Sequence, residues 1–122
     1  QIALPKKIIK NHTSIFNKLS NSKLKFTENI NNAIVGADCV MTDAWISMGE
    51  KISKKKIDFN DFQVNEKVMQ KAKKNAVFMH CLPAHREQEV TNKVIDGRQS
   101  IIWEQAKNRM YVQQAILHYI LN

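Results

Sequence analysis

Apolar and polar positions along this chain follow two periods, and the switches between them mark its elements. Short apolar runs of strand length occur at Ile2 to Leu4, Leu24 to Phe26, Cys39 to Met41 and Ala76 to Met79, with another at Ser100 to Trp103. Phe62 to Val64 alternates weakly in the same way. Helical spacing lies between these runs. Ile8, Ile15, Phe16 and Leu19 predict one amphipathic helix starting near Asn11 or His12, with Asn11 or Thr13 as its cap. Ile30, Ala33, Ile34 and Val35 predict a second, opened by Asn29 and closed by Gly36. Val68, Met69 and Ala72 predict a third behind Asn65, with Glu66 in the first turn and Lys73 and Lys74 in the last, as the helix dipole prefers. The clearest helical period is the last, Glu104 to Leu121. There Ala106, Met110, Gln113, Leu117 and Leu121 line one side, and Ile116 and Ile120 widen it. Strands alternating with amphipathic helices predict a three-layer α/β domain with a mostly parallel sheet covered by helices. With no internal repeat and no low-complexity linker, residues 1–122 read as one domain.

Composition changes this picture little. Hydrophobic residues make up 43% of the chain and charged residues 25%, an ordinary globular balance. The net charge of +8 permits a nucleic-acid partner. Yet the one tight basic run, Lys54-Lys55-Lys56, has no aromatic stacking platform among Ile52, Ile57 and Phe59. A solvated lysine face is the simpler reading, and a basic face also attracts anionic substrates. A non-enzymatic basic binding module stays as an alternative. Neither nucleic acid nor a membrane is expected as a partner. Cys39 and Cys81 form no CxxC unit, and His12, His80, His85 and His118 supply no metal cluster. No cofactor and no metal are expected. Two lone cysteines and no apolar run of spanning length point to a reducing, cytoplasmic setting. Cys39 reads as packed inside its strand. A strand starting at Gln1, with no initiator Met, suggests a piece of a longer protein.

The candidate chemistry sits where two apolar runs end. The run from Ala76 ends in His80-Cys81-Leu82-Pro83-Ala84-His85-Arg86. Pro83 has no N–H to extend a strand ladder, so the chain turns out of the sheet there, where open parallel sheets place ligands. Cys81 and His80 then suit a polar substrate, although a lone Cys also serves as a small buried hydrophobe. The run from Cys39 ends in Thr42-Asp43-Ala44-Trp45-Ile46-Ser47-Met48-Gly49. Asp43 there suits a substrate ammonium or caps a helical turn. Ser47 is a neutral donor and acceptor, Trp45 and Met48 shape an apolar slot or join the core, and Gly49 allows a tight turn. Arg109, early in the last helix, clamps an anion or lies on the surface.

Three of these stretches resemble one family. Thr42 to Gly49 resembles the ornithine-recognition loop of ornithine carbamoyltransferases, His80 to Pro83 their strand-tip motif, and Glu104-Gln105-Ala106-Lys107-Asn108-Arg109 the entry to their final helix. The resemblance implies two α/β domains, the first holding carbamoyl phosphate and the second ornithine, and this chain resembles most of the second. It implies that Asp43 meets the ornithine α-ammonium and that Ser47 and Met48 hold the amino-acid head group. Cys81 and the Leu82 carbonyl would meet the reacting carbamoyl and amine region, without an acyl-enzyme. Arg109 would bind carbamoyl phosphate, His80, Pro83 and Gly49 would support the loops, and Leu82-Pro83 would be cis. The family's Ser-x-Arg-Thr-Arg and His-Pro-x-Gln motifs of the first domain are absent from the chain, and an Asn-containing loop would lie before Gln1. The resemblance therefore implies a parent homotrimer of arginine biosynthesis that makes citrulline, and a fragment inactive alone. A carbamoyltransferase for another amine, such as putrescine, is the alternative; the Ser47-Met48-Gly49 loop argues against aspartate and N-acetylornithine.

Overall fold

The computed structural model describes residues 1–19, 23–46 and 57–122. Strand β1 (Ile2–Ala3) pairs with β2 (Phe26–Thr27), and β3 (Cys39–Thr42) pairs with β4 (Val77–His80). Both pairs are parallel, as alternating strands and helices require. Among the described residues they form two two-stranded sheets, where the sequence pattern predicts one. A cleft of about 580 Å3 lies along both, lined by Ile2 and Leu4 on one side and Val40 and Thr42 on the other.

Helices α1 (Lys6–Asn11) and α2 (Thr13–Leu19) occupy the first connection. The first starts straight after Pro5, earlier than its apolar spacing suggests, and the chain breaks at His12. Thr13 does not cap it forward; its hydroxyl bonds back to the carbonyls of Ile9 and Lys10. Helix α3 (Ile30–Ile34) has the expected start: the Asn29 side chain accepts the Asn31 N–H at 2.9 Å. Gly36 follows with φ +74°, a conformation that glycine adopts without the steric penalty of a side chain. Helix α4 (Glu66–Met69) opens in the same way, with Asn65 accepting from Val68 at 3.1 Å. A short 3-10 turn, Asn60–Phe62, precedes it, and Val64 makes a single parallel bridge to Val90 in place of a full strand. Helix α5 (Asn92–Ile95) and the long α6 (Ile102–Leu121) complete the chain.

The core gathers on one side of β3 and β4. Val40 and Phe78 are buried with Ile34, Val64, Val68, Met69, Val90, Val94, Ile95 and Ile102. Alternation along β3 turns Val40 inward, and this corrects the expectation for Cys39. Cys39 and Met41 are exposed because they point to the other face. Ser100 to Trp103 is a second correction. Only Ser100 bridges, to Phe78; from Ile102 the chain is already helical. Helix α6 ends at Leu121 as predicted but starts two residues before Glu104, and its apolar stripe lies open. Ile102 is buried and Gln105 half-buried, whereas Met110, Leu117 and Leu121 are exposed. Among the described residues no helix is long and apolar enough to cross a membrane.

Candidate functional site

Parallel pairing of β3 with β4 decides which side chains meet. The register sets Thr42 against His80, so both strands end at the same level and the next residues, Asp43 and Cys81, leave side by side. The Cys81 thiol donates to Asp43 Oδ1 at 3.0 Å, and the Ala44 N–H donates to the same oxygen at 2.7 Å. Among the described residues both donors fall on Oδ1, which leaves Oδ2 open to a ligand. Asp43 and Cys81 are both exposed.

These contacts set the ionisation of the pair in opposite directions. The hydrogen bond from Cys81, then the one from Ala44, holds the Asp43 carboxyl below its usual range, against a smaller effect of partial burial. The bond to Asp43 pushes the Cys81 thiol up; burial and the Asp43 charge add to the rise, and a backbone hydrogen bond and then the Arg109 charge pull back against it. A nucleophilic cysteine needs a thiolate, and so a lowered pKa. Cys81 is instead built as a protonated donor beside an ionised carboxylate.

The loop after β4 departs from ordinary backbone at three points. Leu82 has φ +55° and Glu87 φ +62°, and the Leu82-Pro83 peptide is cis. Leu82 N–H donates to His80 Nδ1 at 2.9 Å. Behind it, His80 and Glu89 are fully buried with His80 Nε2 3.3 Å from Glu89 Oε1, close but outside aligned hydrogen-bond geometry. Arg86 does not turn to the site: its guanidinium takes Asp96 with both nitrogens and also reaches Asn92. Gln63 completes the frame, donating its Nε2 to the carbonyls of Glu87 and Gln88 at 3.0 and 2.9 Å.

The two strand tips thus meet at Asp43 and Cys81, and Arg109 on the last helix acts on them only through the pull of its charge on the Cys81 thiol. Trp45 stacks on Phe59, centroids 5.8 Å apart, and both line the cleft beside Asp43. Ser47, Met48 and Gly49 lie outside the described residues, as does Lys54-Lys55-Lys56. A larger cleft of about 730 Å3 between Glu66, Met69, Lys93 and Arg98 includes none of the predicted site residues. Glu89 and Gln63 escape the sequence reading, because they stand in polar stretches that look solvated. The available signal was His80: an imidazole at the end of an apolar strand needs a polar partner.

Residues 1–120 match the model of the aspartate/ornithine carbamoyltransferase family, Asp/Orn binding domain. An ornithine carbamoyltransferase of Ruthia magnifica subsp. Calyptogena magnifica is 58% identical over 87 residues, 70% of this chain and 29% of the relative. One from Hyperthermus butylicus is 44% identical over 119 residues, 96% of this chain and 38% of the relative. The solved anabolic ornithine carbamoyltransferase of Campylobacter jejuni superposes with a TM-score of 0.78 at 35% identity, over 97% of this chain and 41% of that one. The chain therefore spans about a third of the length of these relatives.

Proposed function

This chain belongs to the aspartate/ornithine carbamoyltransferase family, and from that premise we propose that it is the amino-acid half of an ornithine carbamoyltransferase. The parent enzyme transfers the carbamoyl group of carbamoyl phosphate to the ornithine δ-amine. A C–N bond forms, the bond from the carbamoyl carbon to the phosphate oxygen breaks, and the amine loses a proton. The products are citrulline and phosphate. One observation carries the reading: the Cys81 thiol donates to the Asp43 carboxylate at 3.0 Å where two parallel strands end.

Each residue then has a task. Asp43 offers Oδ2 to the α-ammonium while Oδ1 stays with Cys81 and Ala44. Cys81 and the Leu82 carbonyl guide the amine to the carbamoyl carbon, and Arg109 stabilises charge on the carbamoyl phosphate oxygens. Ser47 and Met48 hold the head group, with Gly49, His80 and Pro83 shaping the two loops. The reaction joins two substrates, so holding them in register is a large part of the task. The carbamoyl phosphate domain belongs to the rest of the parent chain, and residues 1–122 alone form an incomplete site. The same reading carries a homotrimeric, cytoplasmic enzyme of arginine biosynthesis.

The test is the full-length parent assayed with ornithine, putrescine, N-acetylornithine and aspartate, each with carbamoyl phosphate. Ornithine should have the highest kcat/KM. Preference for putrescine would move the assignment to a diamine, which keeps a second ammonium for Asp43 but has no α-carboxylate for the head-group loop to hold.

A further inference from the structure

Glu89 is a fully buried carboxylate to which the proposed reaction gives no role. Burying a carboxylate is costly unless its contacts offset the lost hydration. Here the contacts lead to the site loop. Oε1 accepts the His85 N–H at 2.5 Å and lies 3.3 Å from His80 Nε2; Oε2 lies 3.8 Å from His85 Nδ1. On the other side of the ring, His80 Nδ1 accepts the Leu82 N–H at 2.9 Å. A ring nitrogen accepts only when it carries no proton, so the ring N–H belongs on Nε2, whose contact with Glu89 is the 3.3 Å approach to Oε1, outside aligned hydrogen-bond geometry. Leu82 is thus the end of a chain of contacts that starts in the core. It needs one, since a non-glycine residue at φ +55° persists only where its surroundings over-determine it.

We propose that Glu89 is a positioning residue that acts through His80. By fixing the imidazole it holds Leu82 in its left-handed conformation, and so aims the Leu82 carbonyl and the adjoining Cys81 thiol at the reacting amine. This rests on the reading of the loop given under Proposed function. The backbone of Glu89 is fastened separately. Val64 N–H donates to the Glu89 carbonyl at 2.9 Å, and Thr91 N–H donates to the Val64 carbonyl at 3.1 Å. Loss of the carboxylate should therefore loosen the loop tip and leave this bridge in place.

The test uses the full-length parent with Glu89→Ala, Glu89→Gln and His80→Ala, read by kinetics and by amide hydrogen exchange. Glu89→Ala should lower kcat roughly tenfold to a hundredfold while KM for carbamoyl phosphate stays within about twofold, the pattern of lost alignment. Gln keeps an oxygen for the two donors and should recover most of kcat. Because Glu89 acts through His80, the Glu89→Ala/His80→Ala double variant should be no slower than the slower single one. In Glu89→Ala the Leu82 amide should exchange at least about tenfold faster, with Val64 and Thr91 still protected. Wild-type kcat in Glu89→Ala, no recovery with Gln, additive losses, or equal loss of protection at Val64 and Thr91 would each overturn the proposal. If Glu89→Ala does not fold, Glu89→Gln decides: an unfolded Gln variant makes Glu89 a purely structural residue. Exchange needs no substrate, so a parent that ignores ornithine would sink the functional reading while Leu82 still tests the chain of contacts.

Discussion

Replacing Asp43 by Asn in the full-length parent separates charge from shape at the centre of the site. The Asn amide oxygen can still accept from Cys81 and Ala44, as Asp43 Oδ1 does at 3.0 and 2.7 Å. Asp43 is exposed, so no packing is lost and the thermal midpoint should hold. What disappears is the negative charge that the proposed function sets against the ornithine α-ammonium. A hydrogen bond to a charged group contributes roughly 1.5–3 kcal/mol, well below the full Coulomb attraction because the site is wet. At about 1.4 kcal/mol per factor of ten, KM for ornithine should rise roughly tenfold to a hundredfold. The α-ammonium is remote from the reacting amine and is held alike in ground and transition states, so kcat should change little. KM for carbamoyl phosphate should stay within about twofold. Initial rates of citrulline formation at saturating carbamoyl phosphate, with ornithine varied, give all three quantities. A rise below about threefold in KM for ornithine, or an equal loss of affinity for carbamoyl phosphate, would refute the assignment. The same variant has a second readout. Asp43 raises the Cys81 pKa through its hydrogen bond and its charge, so Asp43→Asn should increase the thiolate fraction at a given pH. Alkylation of Cys81 by iodoacetamide should be faster in the variant; an unchanged rate would mean that the two groups are not coupled.

Cys81→Ala in the parent should lower kcat while leaving thermal unfolding nearly unchanged, because the thiol is exposed at a strand tip and fills no core space; unaltered turnover sinks its role at the reacting centre. Arg86 holds the Asp96 carboxyl below its usual range, chiefly through their hydrogen bond, so the pair's stabilisation is present above the ordinary aspartate pKa, about 4, and is lost as pH falls through the lowered folded-state value. Urea titrations of wild type and Arg86→Ala should therefore differ most at neutral pH and converge in acid, and a gap that persists there refutes the linkage. Finally, purified residues 1–122 supplied with both substrates should make no measurable citrulline, and real turnover by the pure chain would overturn the incomplete-site reading.

The parts of this fold that sequence pattern revealed are those with a local cause. Asn29 and Asn65 cap their helices because a short acceptor before an apolar face satisfies an orphan N–H wherever it occurs. Cys39 to Met41 and Ala76 to Met79 became neighbouring strands because each is apolar, short and bounded by polar residues. That pairing also made the site legible: two strands running the same way deliver the chemistry at both their ends to one place. The misses have non-local causes. Whether Cys39 or Val40 faces the core depends on which side of β3 the helices cover, which alternation alone does not say. Glu89 stands between Gln88 and Val90 in a segment that reads as a solvated connection. Its burial depends on His80, nine positions earlier, and on Val64, which draws its backbone inward. The stripe on α6 satisfies every local rule for a core-facing helix and yet lies exposed beyond its first turn, because periodicity shows that a face is apolar without showing what it meets.

The direction of the Cys81 shift bears on how the whole site works. A cysteine meant to attack would be arranged beside cations or a helix N-terminus, so that the thiolate forms near neutral pH. Cys81 instead keeps its proton and donates a hydrogen bond to a carboxylate, and the Arg109 charge offsets only part of the rise. The thiol is therefore suited to hydrogen bonding, with Asp43 fixing where it points. Asp43 gains too, since the donors on Oδ1 keep it ionised and leave Oδ2 open for an ammonium. Neither residue then needs covalent chemistry; each needs a fixed position. The supports follow that need: the parallel register of β3 and β4, the bidentate Arg86–Asp96 pair, the Gln63 amide across two carbonyls and the buried Glu89 behind His80. A reaction limited by alignment places its demands on such contacts, which lie one step away from the substrate. It also requires the second substrate to be held as firmly from the other side. On the proposed reading, Asp43 and Cys81 hold the amino-acid side, and Arg109 shares the grip on carbamoyl phosphate with the rest of the parent chain.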